Sequence, residues 1–556
     1  MLRTVAASQR ALLAGGLLAV AAVAAVVLVV VFALPESETP EPQPPATPTP
    51  SPQTVYAEGV VGAWQRINPL FAADNAADQD LSRLIFAGLL RVGEDGRLLP
   101  DLAPLPEVGE DGRTYTFRLH PDLRWHDGAP VRSLDVAFTI DHIRAPDFQG
   151  DPRLREAWSG VEVRTPDLRT VIIRLPSLNA GFLARFATVG ILPEHLLQGL
   201  DGAALFDAPF NARPVGAGPY ILDSVTSLEA TLSANPRYHL GRPHIDVFVL
   251  RFLPDFAAAR HALDQGEIDG IFLRQDLSQA QLESLDGIEG FAHEDLQRAV
   301  SLVLYLNNGQ AAYFRDPRVR TAISLTLDRQ TLVENALFGL ATASSSAIAP
   351  GTWAYDASLD SPPSDTDAAI ELLEQAGWYR SPTKGVLIRQ GSEFRLTIRT
   401  DNDPQHLALA REIARQLEPI GIRATVASTS FTVLHRDFLT PRTYDAAIAG
   451  WDQGPDPDPY LAWHSSQVVH PGSNVANYGS IVIDALLERG RTTSSVLIRL
   501  DAYQQIQDLW QREAPSVILA YPRIRYVLST SVTAPPFGVL FTPADRFLNV
   551  HLWRIG

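Results

Sequence analysis

Thirteen histidines give the chain its readiest metal-ligand and acid–base chemistry. That chemistry needs two of them on one strand or helix face, at spacings of i, i+2, i+3 or i+4. No pair has such a spacing; His120 and His126, or His464 and His470, would converge only through loops. There is no Cys, which removes thiolate nucleophiles, disulfides, iron–sulfur clusters and Cys-based zinc sites. The one Lys, Lys384, is followed by Gly and Val, so a Walker A loop is excluded and a Schiff base has a single candidate. No Gly-x-Ser-x-Gly elbow marks a hydrolase nucleophile. Among the 63 carboxylates a glycosidase pair would leave no trace in the sequence. Gly216 and Gly218 suggest a dinucleotide loop, but the third Gly is missing and Pro219 would break the helix that must follow. His126-Asp127-Gly128 fits a metal or acid–base site, and fits more simply a plain Asp-Gly turn. What remains is reversible binding, with no catalytic residue, metal site or cofactor expected.

The elements that would position a binding site alternate between strand and helix. At 556 residues a single core is not expected, because cores stop growing at roughly 250 to 300 residues. In Thr114–Leu119, Tyr115, Phe117 and Leu119 fall on one face and Thr114, Thr116 and Arg118 on the other, as in a half-buried strand. Asp365 or Thr366 can cap a helix whose buried stripe is Ala369, Ile370, Leu372, Leu373 and Ala376, with Gly377 to end it. A core-facing stripe at 319, 322, 323, 332, 333, 336 and 337 predicts one helix from Val319 to Leu337. The class is α/β (mixed α+β). With 46 basic against 63 acidic residues the net charge is −17, which opposes nucleic acid as a partner, since that binding depends on clustered cations.

Residues 11 to 34 carry no charge and as a helix would span roughly 36 Å, enough to cross a hydrocarbon core of about 30 Å. Arg3 and Arg10 precede them, so residues 1–10 are expected to stay cytoplasmic and everything after 34 to be exported. An uncleaved transmembrane anchor is expected over a cleaved signal, whose apolar region is usually about 7 to 15 residues. Residues 35–53 hold eight Pro in nineteen positions and predict an extended spacer reaching up to roughly 60 Å.

Several blocks, read in chain order, resemble the family 5 extracellular solute-binding proteins, the peptide and nickel receptors of ATP-binding-cassette importers. They are Ile67-Asn68-Pro69-Leu70 with Ile85-Phe86-Ala87-Gly88-Leu89; Thr114 to Leu119, Trp125-His126-Asp127-Gly128-Ala129-Pro130 and Asp135-Val136-Ala137-Phe138; and Pro214-Val215-Gly216-Ala217-Gly218-Pro219-Tyr220, with Ala217 where the family usually has Thr. Asn235-Pro236-Arg237-Tyr238, Gly266-Glu267-Ile268-Asp269, Tyr305-Leu306-Asn307, Val319 to Arg329 and Pro515 to Tyr521 follow. The resemblance covers residues 56 to 530. It implies a two-lobed periplasmic-binding-protein-like fold of the larger, peptide-binding type, following the N-terminal transmembrane helix. Lobe one is expected at residues 54–303 with a return at 515–556, and lobe two at 304–514.

The same resemblance implies a site. Trp451-Asp452-Gln453-Gly454-Pro455-Asp456-Pro457-Asp458-Pro459-Tyr460 occupies the place of the family's cleft-lining segment, where an Asp after a Trp pairs with the ligand's α-amino group. Here the spacing departs from the pattern: aligning Asp456-Pro457 with the family's Asp-Pro leaves one residue too few after Trp451. Asp452 is the candidate anchor and Trp451 the apolar platform; Asp456 and Asp458 serve equally well to stiffen a loop. Trp463 and Tyr478 would form the adjoining wall, with Trp64 and Asn68 facing them from the other lobe. The implied function is capture of small peptides by a monomer and their delivery to permease subunits. Alternatives are an oligosaccharide or nickel-chelate ligand on the same fold, and a membrane-anchored hydrolase.

Overall fold

The computed structural model describes residues 53–274, 277–360 and 363–556. The apolar run 11–34 and the Pro-rich spacer up to residue 52 lie outside them. Among the described residues no helix is long and apolar enough to cross a membrane. Residues Thr54–Gly556 form one compact unit.

Its frame is a single 12-stranded sheet. In chain order the strands are β1 Val55–Val61, β2 Tyr220–Val225, β3 Glu229–Ala234, β4 Val247–Leu253, β5 Gly270–Phe272, β6 Phe291–Gln297, β7 Val300–Leu306, β8 Ala341–Ala343, β9 Arg395–Thr400, β10 Arg423–Ser428, β11 Ala446–Asp452 and β12 Val517–Ser529. They lie in the order β10-β9-β11-β7-β12-β5-β1-β4-β3-β2, with β6 and β8 also paired to β12. β12 is long enough to serve both ends: its first half pairs with β7 and β8, its second with β6 and β5. β6 and β7 likewise run in sequence with only Arg298 and Ala299 between them. Two neighbouring stretches of chain therefore pass from one half of the sheet to the other.

Each half is covered on both faces, as mixed sheets require when their strands are apolar on both sides. Around β1, β4 and β3 one core gathers Phe248, Leu250, Phe252, Tyr56 and Trp553, and another gathers Leu263, Ile271 and Val527. Around β7, β9 and β11 one core holds Ile323, Leu373, Ile398 and Leu519, the other Tyr305, Trp463, Tyr503 and Trp510. A separate four-stranded sheet contains Thr114–Arg118, with Tyr115 and Phe117 buried as the alternation predicts. Asp365 caps the helix Thr366–Gln375, accepting from the Ala368 N–H at 2.9 Å, and Gly377 follows it with φ +83°.

One expected element is different. The helix predicted from Val319 to Leu337 is two helices, Pro317–Thr326 and Arg329–Leu337. The break falls at Asp328, whose carboxylate accepts from the Thr331 N–H (3.1 Å) and caps the second helix. A side chain that competes for the first-turn donors starts a helix where apolar periodicity alone would continue one.

The sequence blocks that carried the resemblance meet in space. The Gly218 carbonyl lies 3.1 Å from His126 Nε2 and accepts from Asn235 Nδ2 at 2.9 Å, while His126 N–H donates to the Gly216 carbonyl at 2.8 Å. The Asp269 carboxylate accepts from the Ala57 N–H at 2.8 Å and so fastens β1. His126 is therefore a tie between two turns. Burial, ahead of all other influences, lowers its pKa to about 4. A depressed folded-state pKa means stability present above the unfolded value near 6.5 and lost as pH falls toward 4. The denaturation midpoint of the wild-type chain is expected to fall more steeply than that of His126→Gln across this window; parallel curves would remove His126 as a source of the slope.

Buried ion pairs complete the first half. Arg546 lies between Glu58 (2.9 Å) and Asp80 (2.8 Å), all three side chains at most 1% exposed. Arg274 adds a second contact to Asp80 at 2.7 Å, and Tyr526 donates to Glu58 at 2.9 Å. Nothing in the sequence pattern marks these residues, which come from positions 58, 80, 274, 526 and 546.

Candidate ligand-binding site

β11 pairs with β7 so that Trp451 lies opposite Ser301 and Asp452 opposite Val300. The strand stops there because the next residues turn: Asp452 Oδ1 accepts from the Gly454 N–H at 2.9 Å, and Gly454 has φ +63°, a conformation that suits glycine. Trp451 is half-buried against the core of Tyr305 and Trp463. The Asp452 carboxylate is exposed. The strand end thus presents a half-buried apolar ring at Trp451 and, at the next residue, an exposed anion.

The loop behind them is held rigidly. Arg185, on the short helix Phe182–Phe186, donates through Nη2 to the carbonyls of Gln453 (3.0 Å), Asp456 (2.9 Å) and Asp458 (2.9 Å). Asp456 pairs with Arg499 at 2.6 Å and Asp458 with Arg491 at 2.9 Å; both carboxylates are buried. Burial raises the Asp458 pKa, opposed by Arg491 and Arg185. Burial is the largest single influence and works against the Arg499 charge, but Asp456 and Tyr503 together outweigh it and the pKa rises above the usual arginine value. With both carboxylates spent on internal arginines, Asp456 and Asp458 stiffen the loop, and Asp452 is left as the segment's exposed carboxylate.

The other expected site residues separate into two groups. Trp463 and Tyr478 share the core against which Trp451 packs. Both are enclosed: Trp463 stacks on Tyr305 (5.8 Å) and meets Trp510 edge-on (4.4 Å), and Tyr478 donates to Glu513. Trp64 and Asn68 belong to the first half of the sheet. Trp64 is half-buried, its indole N–H donating to the Thr226 carbonyl at 2.7 Å. Asn68 is fully buried, with its amide bonded to Asn211 at 2.9 Å and its oxygen accepting from the Leu70 N–H. Polar groups already satisfied within the fold have little left to offer a ligand.

Sequence reasoning missed Arg153. It lies on the helix Pro152–Trp158, with its guanidinium on Asp151 (2.8 Å) and its side chain 85% exposed. Its pKa is raised first by that hydrogen bond, and also by the fields of Asp452 and Asp74. Among the described residues no group of three or more His, Asp or Glu is placed to hold a metal ion.

Residues 97–469 match the model of the bacterial extracellular solute-binding proteins, family 5 (middle). The chain belongs to this family. The oligopeptide-binding protein AppA of Bacillus subtilis is 25% identical over 503 residues, covering 89% of this chain and 90% of that one. Its solved structure, in complex with a nonapeptide, superposes with a TM-score of 0.65 at 23% identity, covering 91% of this chain and 100% of that chain. NikZ of Campylobacter jejuni, solved with Ni(L-His), superposes at 0.67 with 24% identity, covering 90% and 100%. These likenesses give the mixed α/β, two-lobed solute-binding fold. Family 5 members are binding proteins.

Proposed function

We propose that the chain is the substrate-binding component of an ATP-binding-cassette importer. It captures short peptides between two lobes, residues 54–303 with 515–556 and residues 304–514, and delivers them unaltered to permease subunits. The observation that carries this reading is the exposed Asp452 carboxylate beside Trp451, on a loop that Arg185, Arg491 and Arg499 hold stiff. A peptide's ammonium group needs a carboxylate partner once a closing cleft removes water, and the indole offers apolar area without selecting one side chain. The likeness to an oligopeptide-binding protein along nearly the whole chain supports the ligand class. We further propose that residues 11–34 anchor a monomer on the extracytoplasmic face, with residues 35–53 as the spacer.

Calorimetry with peptides of two to nine residues tests the reading. Asp452→Ala is expected to weaken binding about 10- to 100-fold, the range of a lost charge-assisted hydrogen bond, with an unchanged unfolding midpoint. Nα-acetylated peptides should bind the wild-type chain as weakly as free peptides bind the variant, and bind the variant no more weakly still. Silence with every peptide, tight binding of an oligosaccharide or nickel–histidine chelate instead, or recovery of a hydrolysed ligand would each overturn it.

A further inference from the structure

Gln453 follows the ligand segment directly and is 6% exposed, yet all its polar atoms are engaged. Its backbone N–H donates to the Ala299 carbonyl (3.0 Å), and its carbonyl accepts from Arg185 (3.0 Å). Side-chain Nε2 donates to the Ala347 carbonyl (3.0 Å) and the Tyr521 hydroxyl (2.8 Å), while Oε1 accepts from the Ala349 N–H (3.0 Å). Tyr521 in turn donates to the Ser346 carbonyl at 2.8 Å. Two of these partners sit where the chain crosses between halves of the sheet. Ala299 lies between β6 and β7. Tyr521 precedes Pro522 in β12, where pairing passes from β7 and β8 to β6.

Along β12 that crossing is irregular where β7 gives way to β6, although β8 pairs with Ala520 to Pro522. The register between β7 and β12 shifts at Leu302/Val303, and Pro522 has no N–H to give. Between the Leu302–Ala520 and Gln297–Arg523 pairs, the Arg298 N–H bonds the Pro522 carbonyl at 3.1 Å. A single amide side chain bonded to one crossing stretch, with its backbone bonded to the other, bridges the gap.

We infer that Gln453 is a positioning residue that couples the Trp451–Asp452 strand end to both crossing stretches, so that a ligand held at Asp452 biases the angle between the lobes. The inference rests on the two-lobe reading above. Only one peptide unit separates Asp452 from Gln453, so a displacement of the anchor must be taken up at Ala299 and Tyr521. Glutamine suits the place because it donates and accepts at once; Met keeps the bulk and removes both functions.

The absence of Cys makes the test clean. Leu168→Cys and Tyr379→Cys, at positions 60% and 61% exposed, carry spin labels on the full-length chain in detergent micelles. Label separations are measured without ligand and with a mixture of random nonapeptides. Gln453→Met and Tyr521→Phe are each expected to broaden or shift the ligand-free separation, and to weaken nonapeptide binding about tenfold. The double variant should go no further than the single ones, as residues of one network behave. Separations that match the wild type while the unfolding midpoint falls would reduce Gln453 to a packing role and overturn the inference. So would effects of the two substitutions that add. Should Gln453→Met not fold, Tyr521→Phe alone decides between coupling and packing. Should no peptide bind the wild-type chain, the peptide reading fails while the ligand-free separations still judge the coupling.

Discussion

Arg546→Met is expected to lower unfolding free energy by about 3 to 5 kcal/mol near neutral pH, the cost of breaking a buried ion pair from one side. The side chain it replaces donates to Glu58 and Asp80 inside the core, with the Phe547 ring packed beneath the guanidinium. Met fills much of the same volume, so the loss comes from the two carboxylates and not from a cavity. Asp80 keeps Arg274 at 2.7 Å, whereas Glu58 is left with Tyr56 and Tyr526. Burial already raises the Glu58 pKa, and Arg546 is the largest influence opposing that rise. A folded-state pKa above the unfolded one means that acidification favours the folded state through this group. Removing Arg546 raises it further, so the deficit should shrink as pH falls from 7.5 to 5. Urea titrations at several pH values read this directly, and a deficit constant across that range would place the loss elsewhere than at Glu58.

Gly216→Ala should have an effect of similar size for a different reason. A methyl group built on Gly216 overlaps the Ile85 carbonyl oxygen, and one on Gly218 would lie 2.6 Å from the Ile85 carbonyl carbon. The Gly218 N–H donates to that same oxygen at 2.8 Å. Backbone cannot swing away as a side-chain tip can, so relief requires moving the end of the helix Ala76–Ile85 or the turn. Overpacking typically costs about 1 to 3 kcal/mol, occasionally more, and a backbone obstacle belongs at the upper end. Gly450→Ala is the control: it lies in β11 beside the ligand segment, and its nearest neighbour would be 3.6 Å away. Thermal unfolding should leave Gly450→Ala near the wild type and shift Gly216→Ala markedly downward. Equal midpoints would show that the turn yields to the added methyl without strain.

The same two glycines show what the sequence could and could not say. Pro214 to Tyr220 was recognisable because close approach to Ile85 and the shared bonds at Gly218 admit few residue types. The blocks around His126, Asn235 and Asp269 are distinctive for the same reason, and all of them build the frame. Trp451 and Asp452 were singled out only through likeness to the family, because a ring followed by a carboxylate has no spacing that marks it on its own. In the fold Gly454 supplies the turn that Asp452 caps. Trp463, Tyr478 and Asn68 are buried in the fold, and in a sequence aromatics and amides serve packing and recognition equally well. Arg185 and Arg546 left no local signature, because each acts on partners hundreds of positions away or on backbone carbonyls, which any residue provides. The helix break at Asp328 was the reverse case, a local cap hidden by a regular apolar stripe.

The Glu58–Arg546 contact spans 488 positions, which carries a consequence for how the chain is made. A ribosome releases residue 58 long before residue 546 exists, so the Glu58 carboxylate gains its arginine partner only after 488 further residues have been made. Until then the core around β1 lacks its central ion pair, and a core without its ion pair sets late, which suits a polypeptide destined for the far side of a membrane.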